Sequence, residues 1–463
     1  MQMNKLKITD NRDWTEIAKC VLDNEQPLTN EEVEAIKPNV ERIANIKIAN
    51  LKLDDNLNLL VFPQALGYYG DEIGEGVIIS LSDNKIRTNN IMGFVGVNDT
   101  QIDIRSRFAK GVGEDYFLHY MLQKVFSINL FKIEHTTSNE QIFDFLLYMF
   151  PYFLKKAVAQ GVFKKYRRFE YNDANIRGPI DVSRHIRQNI PFCGTVAYST
   201  REHTYDNELT QLVRHTIEYI RTKEQGAAIL NNDTETKNCV GQIVQATPSY
   251  NVRERQRVIN RNLRPVRHPY FSAYTELQKI CLQILRHESI KYGQEKDKIY
   301  GILFDGAWLW EEYLNTILKK EGFKHPKNKE SRGGIKMFAK PEDEDFFDRN
   351  SRRLYPDFWK DNYIIDAKYK RLEKGVGRED LYQVVTYMHC MKADNGGFMY
   401  PSDTAQKIER YTLAGLGGTM RLYGVKVQHE GDFKGYAEAM REEEERIKKA
   451  VVENSIKNLR QSV

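Results

Sequence analysis

The chain has few cysteines and no long apolar run. Its five cysteines, Cys20, Cys193, Cys239, Cys281 and Cys390, are scattered, odd in number and free of any C-x-x-C pair. That pattern excludes a disulfide framework and a zinc ribbon, and it fits a reducing cytoplasm. The greasiest stretch, IFDFLLYMFPYFLKKAV, is interrupted by Asp144 and Pro151 before it can span a bilayer. The start, MQMNKLKITDNRDW, lacks the apolar centre of a signal peptide, so the reading is no leader and no membrane contact. There is no G-x-x-x-x-G-K-[ST], which excludes a nucleotide motor of its own, and GDEIGEG at Gly70 reads as a turn. H-E-x-x-H, G-x-S-x-G and His/Cys clusters at ligand spacing are also missing. The ten histidines are dispersed, His268 reading as a loop residue and His389 as an ordinary core or surface group. Neither internal repeats nor low-complexity tracts occur.

What is present is an ordinary globular composition, 41% hydrophobic and 29% charged over 463 residues, enough for about two to four domains. The net charge of +5 neither demands nor excludes a polyanionic partner. Where the arginines cluster matters more.

Three periodicities follow one another. Residues 1–110 read as a β-rich domain: short apolar runs broken by turns, with Asn98-Asp99 as a hairpin turn and Ile102 and Ile104 alternating with Asp103 and Arg105, behind a helix from Asn30 to Asn45. Residues 111–298 turn helical, as in YFLHYMLQKVF, ELTQLVRHTIEYI and AYTELQKICLQILRH. This middle domain carries two basic segments. FKKYRRF supplies Lys164, Lys165, Arg167 and Arg168 between aromatics; NVRERQRVINRNLRPVRH supplies Arg253, Arg255, Arg257, Arg261, Arg264 and Arg267. Each is either a solvated face or a phosphate-contacting surface. Residues 299–430 read as a compact α/β unit, and 431–463 as a Glu- and Lys-rich solvated helix held by i,i+4 pairs.

The chemistry concentrates in YPDFWKDNYIIDAKYK. With Asp361-Asn362 as a two-residue turn, counting outward pairs Lys360 with Tyr363, Trp359 with Ile364, Phe358 with Ile365 and Asp357 with Asp366. Period two puts Lys368 on the same face. Two carboxylates and an ammonium thus meet on a strand that is otherwise core. A hard divalent ion such as Mg²⁺, held by one or two carboxylates together with waters and phosphate oxygens, explains such a cluster. The preceding helix buries Trp310, Tyr313, Leu314, Ile317 and Leu318 on one face, with Glu311 flanking that face and Glu312 pointing nearly opposite. On the following helix Asp380, Gln383 and Tyr387 form a stripe at i, i+3, i+7, and Tyr387 reads equally well as core.

These residues carry a resemblance. PD, eight residues and DAK resemble the PD-(D/E)xK nuclease signature, and LYQVVTY resembles the Q-x-x-x-Y helix of its RecB-like branch. Further along the chain, IRGPIDVSRHIRQN, YSTREHTYDNELTQLVRHTIEYI and NIMGFVGVNDTQIDIRSRF are similar to the McrC family, the nuclease subunits of McrBC-type, 5-methylcytosine-specific restriction systems. Glu208 in DNELTQL departs from that pattern where an asparagine-containing one is expected. The resemblance implies an α+β multidomain chain whose carboxyl-terminal α/β domain is restriction-endonuclease-like. Asp357, Asp366 and Glu311 would be metal ligands for Mg²⁺, with Mn²⁺ able to substitute, Lys368 the catalytic lysine, and Gln383 and Tyr387 supporting site residues. It also implies double-stranded, modified DNA as substrate and an AAA+ GTPase of the McrB type, a hexameric ring, as partner, engaged by the amino-terminal domain, so that GTP enters only through that partner. Alternatives are a non-catalytic adaptor with a nuclease fold and a stand-alone repair nuclease.

Overall fold

A computed structural model describes residues 4–21, 26–48, 59–62, 77–109, 115–126, 138–223, 226–291, 299–326, 334–338, 353–405, 407–415, 417–427 and 432–459. The GDEIGEG stretch lies outside them. The chain divides into two compact units, Met1–Glu134 with Glu295–Val463, and His135–Gln294. Helices and strands are mixed in both.

The first unit holds two five-stranded sheets. In one, the strands run in the order Asn4–Thr9, Thr100–Arg105, Ile91–Val97, Ile299–Asp305, Leu59–Phe62. The expected hairpin turn at Asn98-Asp99 joins two of them, with Asn98 at φ 53°. The helix Asn30–Ile43, closed at its start by a Thr29–Glu32 capping box, buries Val33, Ile36, Val40 and Ile43 in the same core. The strand Ile299–Asp305, read from the sequence as the start of the α/β domain, pairs with Ile91–Val97 and Leu59–Phe62. The boundary at residue 299 therefore does not separate the sheets. Gly93 permits this pairing: at φ 120°, its Cβ position would stand 2.1 Å from the Ile302 carbonyl oxygen.

Asp305 ends that strand and caps the next helix, Gly306–Leu318, accepting from the Ala307 N–H at 2.9 Å. The predicted apolar face, Trp310, Tyr313, Leu314, Ile317 and Leu318, is buried, and the Trp310 indole N–H donates to the Met399 carbonyl at 3.2 Å. That contact seats the helix on the second sheet, ordered Phe358–Lys360, Tyr363–Ala367, Asn395–Ser402, Thr419–Lys426, Glu409–Thr412. Tyr363–Ala367 and Asn395–Ser402 are buried throughout, as parallel strands covered on both faces must be. The crossover helix Arg378–Met391 lies close because Gly396 has no side chain; a Cβ there would meet Met388 Sδ at 2.5 Å.

The carboxyl-terminal helix, Phe433–Leu459, corrects the solvated-helix expectation. It buries Phe433, Tyr436, Met440, Ile447 and Val451, and Glu444 enters the core, where it accepts from the Tyr120 hydroxyl at 2.8 Å and contacts Lys124 at 2.7 Å. An amphipathic stripe was hidden among its charges, and its ion pairs Glu443–Arg446 and Glu445–Lys448 are spaced i,i+3.

The second unit is mainly helical, built on Ser138–Val158, Glu208–Arg221, Thr234–Ala246 and Ala273–Lys291. Asn207 and Asp233 cap two of these through their side chains. It also contains a two-stranded ribbon, Lys165–Asp173 with Val196–Thr204, which helical periodicity did not anticipate.

Candidate functional site

The hairpin around Asp361-Asn362 forms in the expected register, Phe358 with Ile365, Trp359 with Ile364 and Lys360 with Tyr363. Asp361 takes the left-handed conformation, φ 49°, that the tight turn requires. One step beyond the ladder, Asp357 Oδ2 accepts the Ala367 N–H at 2.7 Å. Asp357 and Asp366 are both buried, and the Lys368 ammonium stands 2.7 Å from Asp366 Oδ2 in ion-pair contact.

The crossover helix closes the group from the other side. Lys368 Nζ lies 3.5 Å from Asp380 and donates to Gln383 Oε1 at 3.1 Å, and Gln383 Nε2 donates to the Tyr387 hydroxyl at 2.9 Å. The i, i+3, i+7 stripe thus faces the strand carrying Asp366. Behind Lys368, Tyr369 is buried with its hydroxyl 2.7 Å from Ser106 Oγ, which ties the end of the strand to the amino-terminal sheet.

Burial, then the nearby Asp357 charge, pushes the Asp366 carboxyl up to about 8, with Lys368 working against the rise. Burial opposes the charge on Lys368, but Asp366, Asp357 and Asp380 together outweigh it, so the amine is held above its usual range. Burial also pushes Tyr387 up to about 12, a rise that Gln383 opposes and the two aspartates reinforce.

The helix-borne acids differ from the sequence reading. Glu311 and Glu312 are both half-buried. Glu312, expected to point away, lies 3.7 Å from His325 Nε2, while His325 Nδ1–H donates to the Asp357 carbonyl at 2.7 Å and the ring stacks on Phe358. Burial opposes the His325 charge, but Glu312 and the Asp357 carbonyl outweigh it and raise its pKa. His325 was missed because nothing local marks it. The bridge that pairs Lys324 with Trp359 brings it to the hairpin. Among the described residues no group of three or more His, Cys, Asp or Glu is placed to hold a metal ion, so Glu311 does not complete a three-carboxylate cluster with Asp357 and Asp366.

The predicted basic residues all fall in the second unit. Lys164 Nζ lies 4.2 Å over the Tyr205 ring, Lys165 is 3.8 Å from Glu208, Arg167 donates to the Asp206 carbonyl at 3.3 Å and Arg168 is 3.6 Å from Asp181. In the second segment Arg255 lies over Tyr219, Arg257 pairs with Glu254 at 2.8 Å and Arg261 with Glu208 at 3.8 Å, whereas Arg253, Arg264 and Arg267 are exposed.

Together these features define a mixed α and β protein with an acid–lysine cluster where two parallel strands meet a crossover helix. The chain belongs to the McrBC 5-methylcytosine restriction system component family, whose sequence profile matches residues 86–401. Its fold is similar to a chain of the refined half-complex from a tetradecameric assembly of Thermococcus gammatolerans McrB AAA+ hexamers with bound McrC. The TM-score is 0.51 at 15% identity, over 96% of this chain and 100% of that chain. A chain of the Thermococcus gammatolerans McrBC complex is similar at TM-score 0.34 and 14% identity, over 70% of this chain and 90% of that one. No curated protein matches by sequence. Among the described residues no helix is long and apolar enough to cross a membrane.

Proposed function

We propose that this chain is the nuclease subunit of a modification-dependent restriction complex, a Mg²⁺-dependent DNA endonuclease of the PD-(D/E)xK type. It works in the cytoplasm with an AAA+ GTPase partner whose activity it stimulates. The observation that carries the reading is the convergence of buried Asp357 and Asp366 with Lys368 at the end of a parallel strand. Family membership, and the McrB assembly with bound McrC to which the fold is similar, support the partner.

The donor set fits a hard divalent cation. Asp366 is buried beside a second carboxylate, and the one ammonium at 2.7 Å leaves its carboxyl raised to about 8, a costly arrangement that a divalent cation relieves. Asp357 and Asp366 would hold it, with waters and phosphate oxygens completing its shell. Once bound, a cation of this kind acidifies a water and neutralises charge on a phosphodiester. Lys368, kept as an ammonium ion by its carboxylate neighbours, places positive charge where the pentacovalent phosphorus gathers negative charge, so its role is electrostatic rather than that of a base. Gln383 fixes the Lys368 head and is itself fixed by Tyr387. His325 anchors the Asp357 backbone.

The test is plasmid cleavage with Mg²⁺, GTP and the cognate AAA+ protein. Asp357→Ala and Lys368→Ala should each abolish cutting, and parental rates in either would overturn the assignment. One observation favours a second reading: the described residues form no three-ligand metal cluster. A non-catalytic adaptor would stimulate the partner's GTPase and show no metal-dependent cleavage.

A further inference from the structure

Arginines 168 and 201 stand directly opposite each other on the ribbon, as do Tyr166 and His203 two residues nearer its end. Alternation places all four side chains on one face. We propose that this part of the ribbon is a binding surface for the phosphate backbone of duplex DNA, an inference that rests on the chain acting on DNA.

The two faces of the ribbon differ. On the opposite face the groups are occupied by neighbours: Arg167 donates to the Asp206 carbonyl and lies over Phe169, Lys165 approaches Glu208, Tyr171 stacks on Tyr198 at 5.4 Å, and Arg177 covers Tyr171. On the Arg168 face the side chains at the far end are engaged by the helix Val182–Gln188 and its following residue. Arg184 pairs with Glu170 at 2.6 Å, and Asn189 exchanges hydrogen bonds with Asn172. The near end is open: Tyr166 is 59% exposed, and Arg168, Arg201 and His203 are exposed as well.

Like charges directly opposite on a strand pair destabilise it. Arg168 pairs with Asp181 at 3.6 Å, and among the described residues Arg201 has no acidic partner, its guanidinium lying 5.7 Å over the Tyr166 ring. An anion bridging or flanking the pair removes the penalty, and guanidinium groups match phosphate oxygens in bidentate geometry. The Tyr166 ring, stacked on His203 at 4.7 Å, holds Arg201 upright beside Arg168. A two-stranded ribbon is also narrow enough for the major groove of B-DNA to admit. In the denser arginine run at 253–267 three members lean on Glu254, Glu208 and Tyr219, and Arg253, Arg264 and Arg267 are exposed.

The test measures affinity of the full chain for a labelled duplex by fluorescence anisotropy across a salt series, comparing the parent with Arg168→Ala/Arg201→Ala, Arg201→Lys and Lys165→Gln. Each lost phosphate contact lowers the slope of log K against log salt by about 0.9. The double variant should therefore lose about two units of slope and bind at least about tenfold more weakly at moderate salt. Its thermal midpoint should hold or rise, because a repulsion has been removed. Arg201→Lys and Lys165→Gln should keep the parental slope. An unchanged slope in the double variant, or a parent that binds no duplex, overturns the proposal. If the slope is unchanged while affinity for the AAA+ partner drops, the face is a protein-docking surface and the DNA assignment fails. Plasmid cutting that is lost in Asp366→Ala reports the nuclease reading separately: a reduced slope without any cutting by the parent refutes that reading and keeps the ribbon.

Discussion

Replacing Asp366 with Asn tests the electrostatics on which the site depends. The Asp366 carboxyl rises from 3.8 to about 8 on folding, and at about 1.36 kcal/mol per unit the penalty reaches on the order of 5 kcal/mol once the group must ionise. That value already includes the opposing pull of the Lys368 ammonium at 2.7 Å, so the gain expected for Asp366→Asn at pH 8 is up to about 5 kcal/mol. A carboxyl with a folded-state pKa above its unfolded value binds its proton more tightly when folded. The parent therefore loses stability as pH climbs from about 4 to about 8, and the variant's advantage should vanish towards pH 4. Urea unfolding of both proteins at pH 4 to 8, with Mg²⁺ chelated, measures the difference. Adding Mg²⁺ at about a hundred times its dissociation constant should stabilise the parent by about 2.7 kcal/mol and the variant far less. A gap that stays flat across pH, or an equal Mg²⁺ gain in both proteins, refutes the reasoning.

Gln383→Ala removes the bond that fixes Lys368 and frees Tyr387; cleavage kinetics should show kcat lower by about 10–100-fold with KM little changed, the loss of one hydrogen bond to a charged group in the transition state. Glu444→Ala strips a buried acid from Tyr120, Tyr313 and Lys124 and should cost about 3 kcal/mol in denaturant unfolding. Gly93→Ala, with φ 120° and the Ile302 carbonyl oxygen 2.1 Å from the new carbon, should cost about 2 kcal/mol or more and be visible as a lower unfolding midpoint.

Much of the acid–lysine cluster was legible because its logic is local. The Asp361-Asn362 turn and period-two alternation set the register of one hairpin, and that register alone places Asp357, Asp366 and Lys368 near one another. The 3.6-residue period likewise showed which face of Gly306–Leu318 is buried and that Asp380, Gln383 and Tyr387 share a stripe. Charge-rich text misled at the carboxyl terminus, where the apolar stripe of Phe433–Leu459 is diluted by Glu and Lys. It misled too at Lys165–Asp173, whose strand partner stands about thirty residues away across an intervening short helix.

By itself, then, the sequence determined the family, the hairpin and its acid–lysine group, because turn chemistry and side-chain periodicity act between residues close in the chain. Only the tertiary structure decided that Ile299–Asp305 completes the sheet of Ile91–Val97, that His325 and Glu312 support Asp357, and that Arg168 faces Arg201. Those contacts join residues distant in sequence, and their partners are selected by burial and shape when the chain collapses rather than by any pattern a local window contains.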